Sequence, residues 1–390
     1  MPRPITTHAI VRRKRPAIRS HGITRAAKLT LETAALMLTL WAAAPGAYAG
    51  ESPSMFALSG FGTLGVAHSS LDTADFTGAA FQPAGAGYTR RFNVAGDTKF
   101  GLQLTGRFTD KLTALVQVVS RYNYDNSYTP TIEWANVNYA FTPDLNVRVG
   151  RIELPTFLSS DYREVGYANP WVRVPGELYN LEPITNSDGV DASYKLHFAH
   201  VIDTLHLIYG RTSFHITPGG TKFKGTDIGG VVDTLEYRSL TLHFGYLHAY
   251  TSSPFAQRSA AAAYSVGIGY DVPRWFVQGE LARVTADGMT PGYLAGYLSG
   301  GMRFGQFTPY ATYAVEHALN YQTIIPNANL GQKDLSVGLR WDFAKNLDMK
   351  VQYEHIWTPS QSAGLFINEQ PNFRNGCAAN VFSATLDFVF

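Results

Sequence analysis

The sequence predicts an all-β protein, a transmembrane antiparallel barrel of about 16 strands, and three observations predict it. First, residues 380–390 alternate strictly: Phe382, Ala384, Leu386, Phe388 and Phe390 share one face, and Ser383, Thr385 and Asp387 the other. An apolar face running to the terminal residue suits a wall wetted by lipid outside and water inside. Second, alternating segments of roughly ten residues recur along the chain, the length a tilted membrane strand needs. Third, short and long connections alternate between them, as turns on one side of a membrane and loops on the other would.

Residues 1–49 read as an export signal and are set apart from the fold. Arg3, Arg12, Arg13, Lys14, Arg15, Arg19, Arg25 and Lys28 form a basic stretch, 29–44 is apolar apart from Glu32, and Ala47-Tyr48-Ala49 fits a small-x-small cleavage site. A disordered basic arm for nucleic acid is the other reading of this stretch. Arg12-Arg13 resembles a twin-arginine signal, but that route carries folded cargo, so a Sec-type signal is expected. The stretch holds 8 basic residues and 1 acidic residue of the chain's 32 and 30, leaving 24 and 29 in residues 50–390, a net of −5. That balance excludes a basic nucleic-acid patch. Residues 50–390 show no composition shift that would divide them into domains, and none of their segments approaches the ~18 apolar residues of a spanning helix. In lipid the remaining solution is a closed barrel, because open sheet edges would go unsatisfied. Cys377 is the single cysteine, which excludes an internal disulfide and a cysteine metal cluster.

The strands follow in order. The first starts at Met55. The second puts Phe92, Val94, Phe100, Leu102, Leu104 and Phe108 on one face and Arg91, Asn93, Asp97, Lys99, Gln103, Thr105 and Arg107 on the other. Ala135, Val137, Tyr139 and Phe141 oppose Trp134, Asn136 and Asn138; Val190, Ala192, Tyr194 and Leu196 oppose Asp191, Ser193, Lys195 and His197. Near the end, Leu335, Val337, Leu339, Trp341 and Phe343 oppose Ser336, Arg340 and Asp342, and Leu347, Met349, Val351 and Tyr353 oppose Lys350, Gln352 and Glu354. A one-residue slip would turn these charges into lipid at roughly 2–4 kcal/mol per Lys or Arg near the midplane, so the register is tightly specified. Short turns are expected at 109–111, 142–144, 199–203, 238–239, 271–274, 305–306 and 344–346, on the periplasmic side. Long extracellular loops are expected at 68–88, 125–130, 153–188, 212–224, 251–260, 285–292, 317–332 and 357–379. Phe108, Phe141, Trp275, Phe307, Phe343 and Phe390 gather beside the short turns, where an interfacial aromatic girdle belongs. A soluble sandwich or propeller also alternates, but with its apolar face inward.

Most of residues 50–390 resembles the Gram-negative outer-membrane porins. The resemblance rests on Gly60-Phe61-Gly62-Thr63-Leu64-Gly65, on Val149-Gly150-Arg151 before the long third loop, on Gly338-Leu339-Arg340-Trp341-Asp342-Phe343, and on the aromatic C-terminus. The segments 166–173 and 186–191 look like a sub-group of porin-like proteins. The resemblance implies a water-filled barrel in the outer membrane among lipid and lipopolysaccharide, often a homotrimer, with the third loop folded into the lumen.

That loop, 153–188, is longer than a connection requires. It carries Glu153, Asp161, Glu164, Glu177, Glu182 and Asp188 against only Arg163 and Arg173, while Arg91, Lys99, Arg107, Arg121 and Arg148 fall on inward faces of strands two, three and five. An acidic loop opposite a basic wall would create a transverse field and set ion preference; solvated acids with arginines bound to loop backbone are the alternative. Tyr162, Tyr167, Trp171 and Tyr179 could stack on sugars or aromatic acids, or simply pack the loop onto the wall. Gly60-x-Gly62-x-x-Gly65 lies within a strand with no helix after it, so it is not a dinucleotide fingerprint. His197-x-x-His200 enters a short turn without a carboxylate or cysteine at ligand spacing. No Gly-x-Ser-x-Gly elbow occurs. No catalytic residue, cofactor or metal is expected. The expected function is passive diffusion of small hydrophilic solutes and ions. The alternatives are a solute-selective channel, a barrel enzyme such as a phospholipase, and a plugged barrel acting as an anchor.

Overall fold

A computed structural model describes residues 54–216, 220–254, 258–287, 290–319 and 331–390. Residues 1–49, where an export signal is expected, and parts of the long loops near 217, 256, 288 and 325 lie outside the described residues. Sixteen antiparallel strands close into one barrel. They are β1 (Phe56–Ser69), β2 (Lys99–Arg107), β3 (Leu112–Arg121), β4 (Thr131–Ala140), β5 (Leu145–Glu153), β6 (Asn186–Phe198), β7 (Val201–Ile216) and β8 (Thr221–Tyr237). The other half is β9 (Leu240–Ser252), β10 (Ser259–Val272), β11 (Trp275–Ala286), β12 (Thr290–Met302), β13 (Phe307–Ala318), β14 (Gln332–Ala344), β15 (Leu347–Trp357) and β16 (Ala378–Val389). Each strand pairs with its sequence neighbours, and β16 pairs with β1, Phe61 opposite Val389, which leaves the barrel itself without an edge.

The outer wall carries large apolar side chains, among them Leu281, 63% exposed, and Leu298, 60% exposed. Inward positions hold the polar set: Ser383, Thr385 and Asp387 are buried, while Phe382 and Phe390 are exposed on the outside. This is the inverse of a soluble barrel and matches a wall solvated by lipid. Aromatic pairs sit at the short-turn ends, including Phe56–Phe108, Tyr270–Trp275 and Phe307–Trp341.

At the closing seam Phe390 pairs with and packs against β1. Gly60 and Phe390 exchange backbone hydrogen bonds of 3.0 Å each way. A Cβ on Gly60 would lie 2.4 Å from the Phe390 ring, so glycine alone lets that ring lie flat over β1. Phe390→Ala is expected to lower barrel stability by about 1–3 kcal/mol through lost apolar contact, read as a lower urea midpoint in micelles; an unchanged midpoint would contradict it.

The strand bounds differ from the sequence expectation in two ways. The second strand begins at Lys99 rather than near Arg91. Asn93 meets Ala67 only through an isolated bridge, and its Oδ1 accepts the Ala95 N–H at 3.0 Å, a side-chain turn that breaks the ladder. Arg91 therefore belongs to the first long loop. The wall is also taller than expected around β7–β8 and β11–β12: 212–216, 221–224, 285–286 and 290–292 are strand, not loop. Continuous cross-strand pairing from Thr221–Ile216 to Gly225–Thr212 carries the β7–β8 hairpin past the loop expected there.

The first and last long loops form a cap. Asp75 is fully buried and accepts hydrogen bonds from Thr89 N at 2.7 Å and Asn368 Nδ2 at 2.7 Å, while Asp75 and Ile367 bridge their backbones. Ala74, Phe366, Ala379 and Val381 fill the space beneath.

Candidate functional site

The third long loop, 154–185, contains two 3₁₀ turns, Ser160–Tyr162 and Gly166–Ala168, and one helical turn, Gly176–Tyr179. It touches strands on opposite sides of the barrel. The Thr156 carbonyl accepts from Ser265 Oγ of β10 at 2.5 Å and contacts His243 Nε2 of β9 at 3.1 Å. Leu158 N donates to Glu280 of β11 at 2.8 Å, and Trp171 Nε1 to Ser299 of β12 at 2.7 Å. Glu164 meets Lys99 of β2 and Arg121 of β3. A segment with partners all around a closed barrel lies across its interior.

Hydrophobic packing fixes one flank. Phe157, Trp171, Leu178 and Tyr179 pack on inward Tyr297, Tyr310 and Ala314 of β12–β13. Trp171, 1% exposed, and Tyr179, 3% exposed, have no face left for a solute. Tyr162 is half-buried and its hydroxyl accepts from Ser159 Oγ at 3.1 Å. Tyr167 is half-buried with the Arg340 guanidinium 4.9 Å from its ring centre. Trp171 and Tyr179 therefore serve the loop's packing, and Tyr162 and Tyr167 keep part of their surface exposed.

Two ionic latches hold the loop on the β14–β16 side. Lys350, 0% exposed, donates to the Gly166 carbonyl at 2.7 Å and pairs with Asp387 at 3.0 Å and Asp348 at 3.4 Å. A Cβ on Gly166 would fall 2.0 Å from Asp387 Oδ1, so the close approach requires glycine. Arg340 donates to the Tyr167 and Asn169 carbonyls at 2.7 and 3.1 Å. The second latch is Arg173, which bonds both Asp97 oxygens at 3.0 and 2.8 Å, both Glu354 oxygens at 2.8 Å, and Ser383 Oγ at 2.7 Å. Burial works against this charge, but Asp97 and Glu354 outweigh it and hold the guanidinium firmly protonated.

The lumen left over lies toward β2–β7. Lys99 Nζ and Arg121 Nη1 bond the two Glu164 oxygens at 3.2 and 3.1 Å. Burial alone would raise the Glu164 carboxyl, yet Lys99 and Arg121 bring it down to about 2. Arg121 also pairs with buried Glu133 at 3.2 Å. A bulge between the Gln117–Trp134 and Val118–Ile132 pairs leaves Glu133 unpaired in the ladder and re-aims its side chain inward. Arg148 pairs with Glu153 and, at 2.9 Å, with Asp191, which also holds His206 at 3.0 Å. Asp161 is exposed, and Glu153 and Arg148 are its nearest charged neighbours.

The remaining expected site residues sit elsewhere. Arg91 is exposed in the first loop, and Arg107 is exposed at the short-turn end of β2. Asp188 pairs with Arg151 at 2.7 Å. Glu177 is buried, accepting from Gln332 Nε2 at 2.7 Å, and burial pushes its carboxyl up. Glu182 accepts from Thr156 Oγ1 at 2.8 Å. Of the loop acids, Glu164, Glu177 and Glu182 therefore do not face the wall bases across an open gap, while Asp161 stays exposed near Arg148. Glu164 closes on the bases directly, and Glu177 and Glu182 turn into the loop's packing.

Five residues of the loop's anchorage were not among the expected site residues: Glu133, Arg163, Arg173, Arg340 and Lys350. Lys350 and Arg340 carried an inward-register signal, and Arg163 and Arg173 stood out as the loop's only cations, but nothing in the pattern told which would anchor the loop.

Burial pushes the Glu182 carboxyl up to about 7, against the opposing pull of Thr156 and Arg163. An unfolded carboxyl titrates near 4.3, so between roughly pH 4.5 and 7 the docked loop keeps a proton the released loop has lost. Docking is firmest at the acid end of that window and loosens as pH rises through 7. Glu182→Gln is expected to flatten the pH dependence of tryptic cleavage at Arg163 and Arg173; an unaltered profile would contradict it.

No protein-family model matches the chain, and no curated protein matches it significantly. Solved structures do. An anion-selective porin from Comamonas acidovorans aligns at 13% identity and TM-score 0.57, covering 86% of this chain and 99% of that one. OmpF of Salmonella typhi, solved with daunomycin, aligns at 13% identity and TM-score 0.57, covering 86% and 97%. OmpT, an outer-membrane protein of Vibrio cholerae, aligns at 12% identity and TM-score 0.54, covering 87% and 99%. The shared feature is the fold: this chain is a porin-like, outer-membrane-type barrel of sixteen antiparallel strands.

Proposed function

We propose that the protein is an outer-membrane channel of a Gram-negative bacterium, passing small hydrophilic solutes and ions down their gradients. The single observation that carries this reading is the uneven filling of the barrel. The third loop packs against β9–β16 and leaves a polar, charge-lined space against β2–β7. A wet passage lined by fixed charges conducts without a cofactor or an energy source. Residues 1–49 direct export in this reading, and the lipid-facing wall meets outer-membrane lipid and lipopolysaccharide. A homotrimer is part of the reading, supported by a similar OmpT structure described as a trimer form.

An enzymatic reading needs a nucleophile beside an oriented base. Asp191 orients His206, and Ser193 lies opposite His206 in the ladder, but no hydrogen bond joins the serine to the imidazole. Asp191 is moreover engaged by Arg148. This favours a wall ion pair over a hydrolytic triad.

Liposome swelling tests the proposal. Vesicles holding the refolded protein are expected to admit small sugars at rates that fall with solute size. Swelling no faster than in empty vesicles would overturn it.

A further inference from the structure

On the long-loop side of the constriction, a polar cavity of about 300 Å³ opens between the first long loop, the third loop and the ends of β3–β7. Its lining has two chemically different parts. One is aromatic. Tyr124 stacks on His215 with ring centres 4.3 Å apart, and Phe81 lies 6.0 Å from Phe214, which in turn stacks on Phe223 at 5.7 Å. These rings come from separate loop and strand ends, so their convergence here is a product of the fold.

The other part is cationic. Lys99, Arg121 and Arg173 are each paired with carboxylates. Arg163 differs. Its Nη1 donates to the Glu182 backbone carbonyl at 3.1 Å, and among the described residues no carboxylate lies within ion-pair distance. Burial raises the nearby Glu182 carboxyl, and Glu164 acts on Arg163 only through space while its oxygens bond Lys99 and Arg121, so the guanidinium keeps donors that no carboxylate occupies. The lining carboxylates are already taken: Glu164 by Lys99 and Arg121, Glu133 by Arg121 and Asn186, Asp97 by Arg173. A cationic solute therefore meets no lining carboxylate that is not already paired.

We propose that this vestibule is a binding site for small aromatic carboxylates, with the carboxylate on Arg163 and the ring against Tyr124 and Phe214. The proposal rests on the channel reading and names a solute class for it. A guanidinium matches a carboxylate through paired N–H donors, aromatic faces add contact for a flat ring, and the volume suits a single-ring acid.

Benzoate, acetate and benzylammonium are the probes, added on the long-loop side of the refolded protein in a planar bilayer carrying chloride current. Benzoate is expected to block at about tenfold lower concentration than acetate, and benzylammonium not to block. Arg163→Gln is expected to raise the half-blocking benzoate concentration about tenfold, with partial recovery in Arg163→Lys. Tyr124→Ala combined with Phe214→Ala is expected to reduce benzoate to the level of acetate. Equal block by benzoate and acetate, or block indifferent to Arg163→Gln, overturns the site. Calorimetric titration of benzoate into the detergent-folded barrel reads the site without current. Chloride current without benzoate binding overturns the site alone, and benzoate binding without current overturns the channel reading alone.

Discussion

Lys350→Met is expected to raise single-channel conductance and expose the third loop to trypsin. The ammonium sits fully buried between Asp387 and Asp348 and holds the Gly166 carbonyl. Methionine fills similar space but strands two buried carboxylates, only one of which keeps a cation, Arg340 at 3.1 Å. Breaking a buried pair in this way costs about 3–5 kcal/mol. That is enough to shift a docked loop toward release, since a few kcal/mol moves such an equilibrium by about a hundredfold. Adding Asp387→Asn removes one stranded charge and is expected to restore part of the docking. Unchanged conductance with full protection at Arg163 and Arg173 would show that packing around Trp171 holds the loop without the latch.

Lys99→Glu is expected to shift permeability toward cations. Glu164 now shares its charge between Lys99 and Arg121; the substitution removes one cation and adds a carboxylate beside it, a local change of two charges. At a separation of several ångströms in a wet, screened lumen this amounts to about 1 kcal/mol, or about fivefold in the cation-to-anion permeability ratio. Reversal potentials across a salt gradient report it. An unmoved reversal potential would place the conducting path away from β2 and β3.

Strand positions were legible because lipid outside and water inside impose a period of two on every strand. Phe382, Leu386 and Phe390 point outward and Thr385 and Asp387 inward, as the alternation required. Turns such as 238–239 were legible from the break in that period. The limits of the pattern are equally physical. Arg91 and Phe92 continue the alternation past Lys99, yet the Asn93 side-chain turn removes them from the ladder. The loops around 212–224 and 285–292 are polar enough to read as loop, but strand pairing above the membrane needs no apolar face.

The candidate site was legible only in part. Lys99 and Arg121 were readable as inward because strands fix direction, and Glu164 as a loop acid, but their contact depends on how 154–185 folds. Periodicity carries no information about an irregular loop. Trp171 and Tyr179 illustrate this: as sequence they are equally suited to stacking on a solute or packing on a wall, and the inward faces of β12–β13 decide for packing. Phe81, Tyr124, Phe214 and His215 meet only because loops distant in sequence converge, so no local spacing marks them.

Single-channel recording of the refolded protein under a salt gradient tests the channel reading most directly. Discrete, long-lived ohmic steps are predicted, with a reversal potential that moves in Lys99→Glu and larger steps in Lys350→Met. A folded, inserted barrel that shows no steps at any voltage would contradict the account.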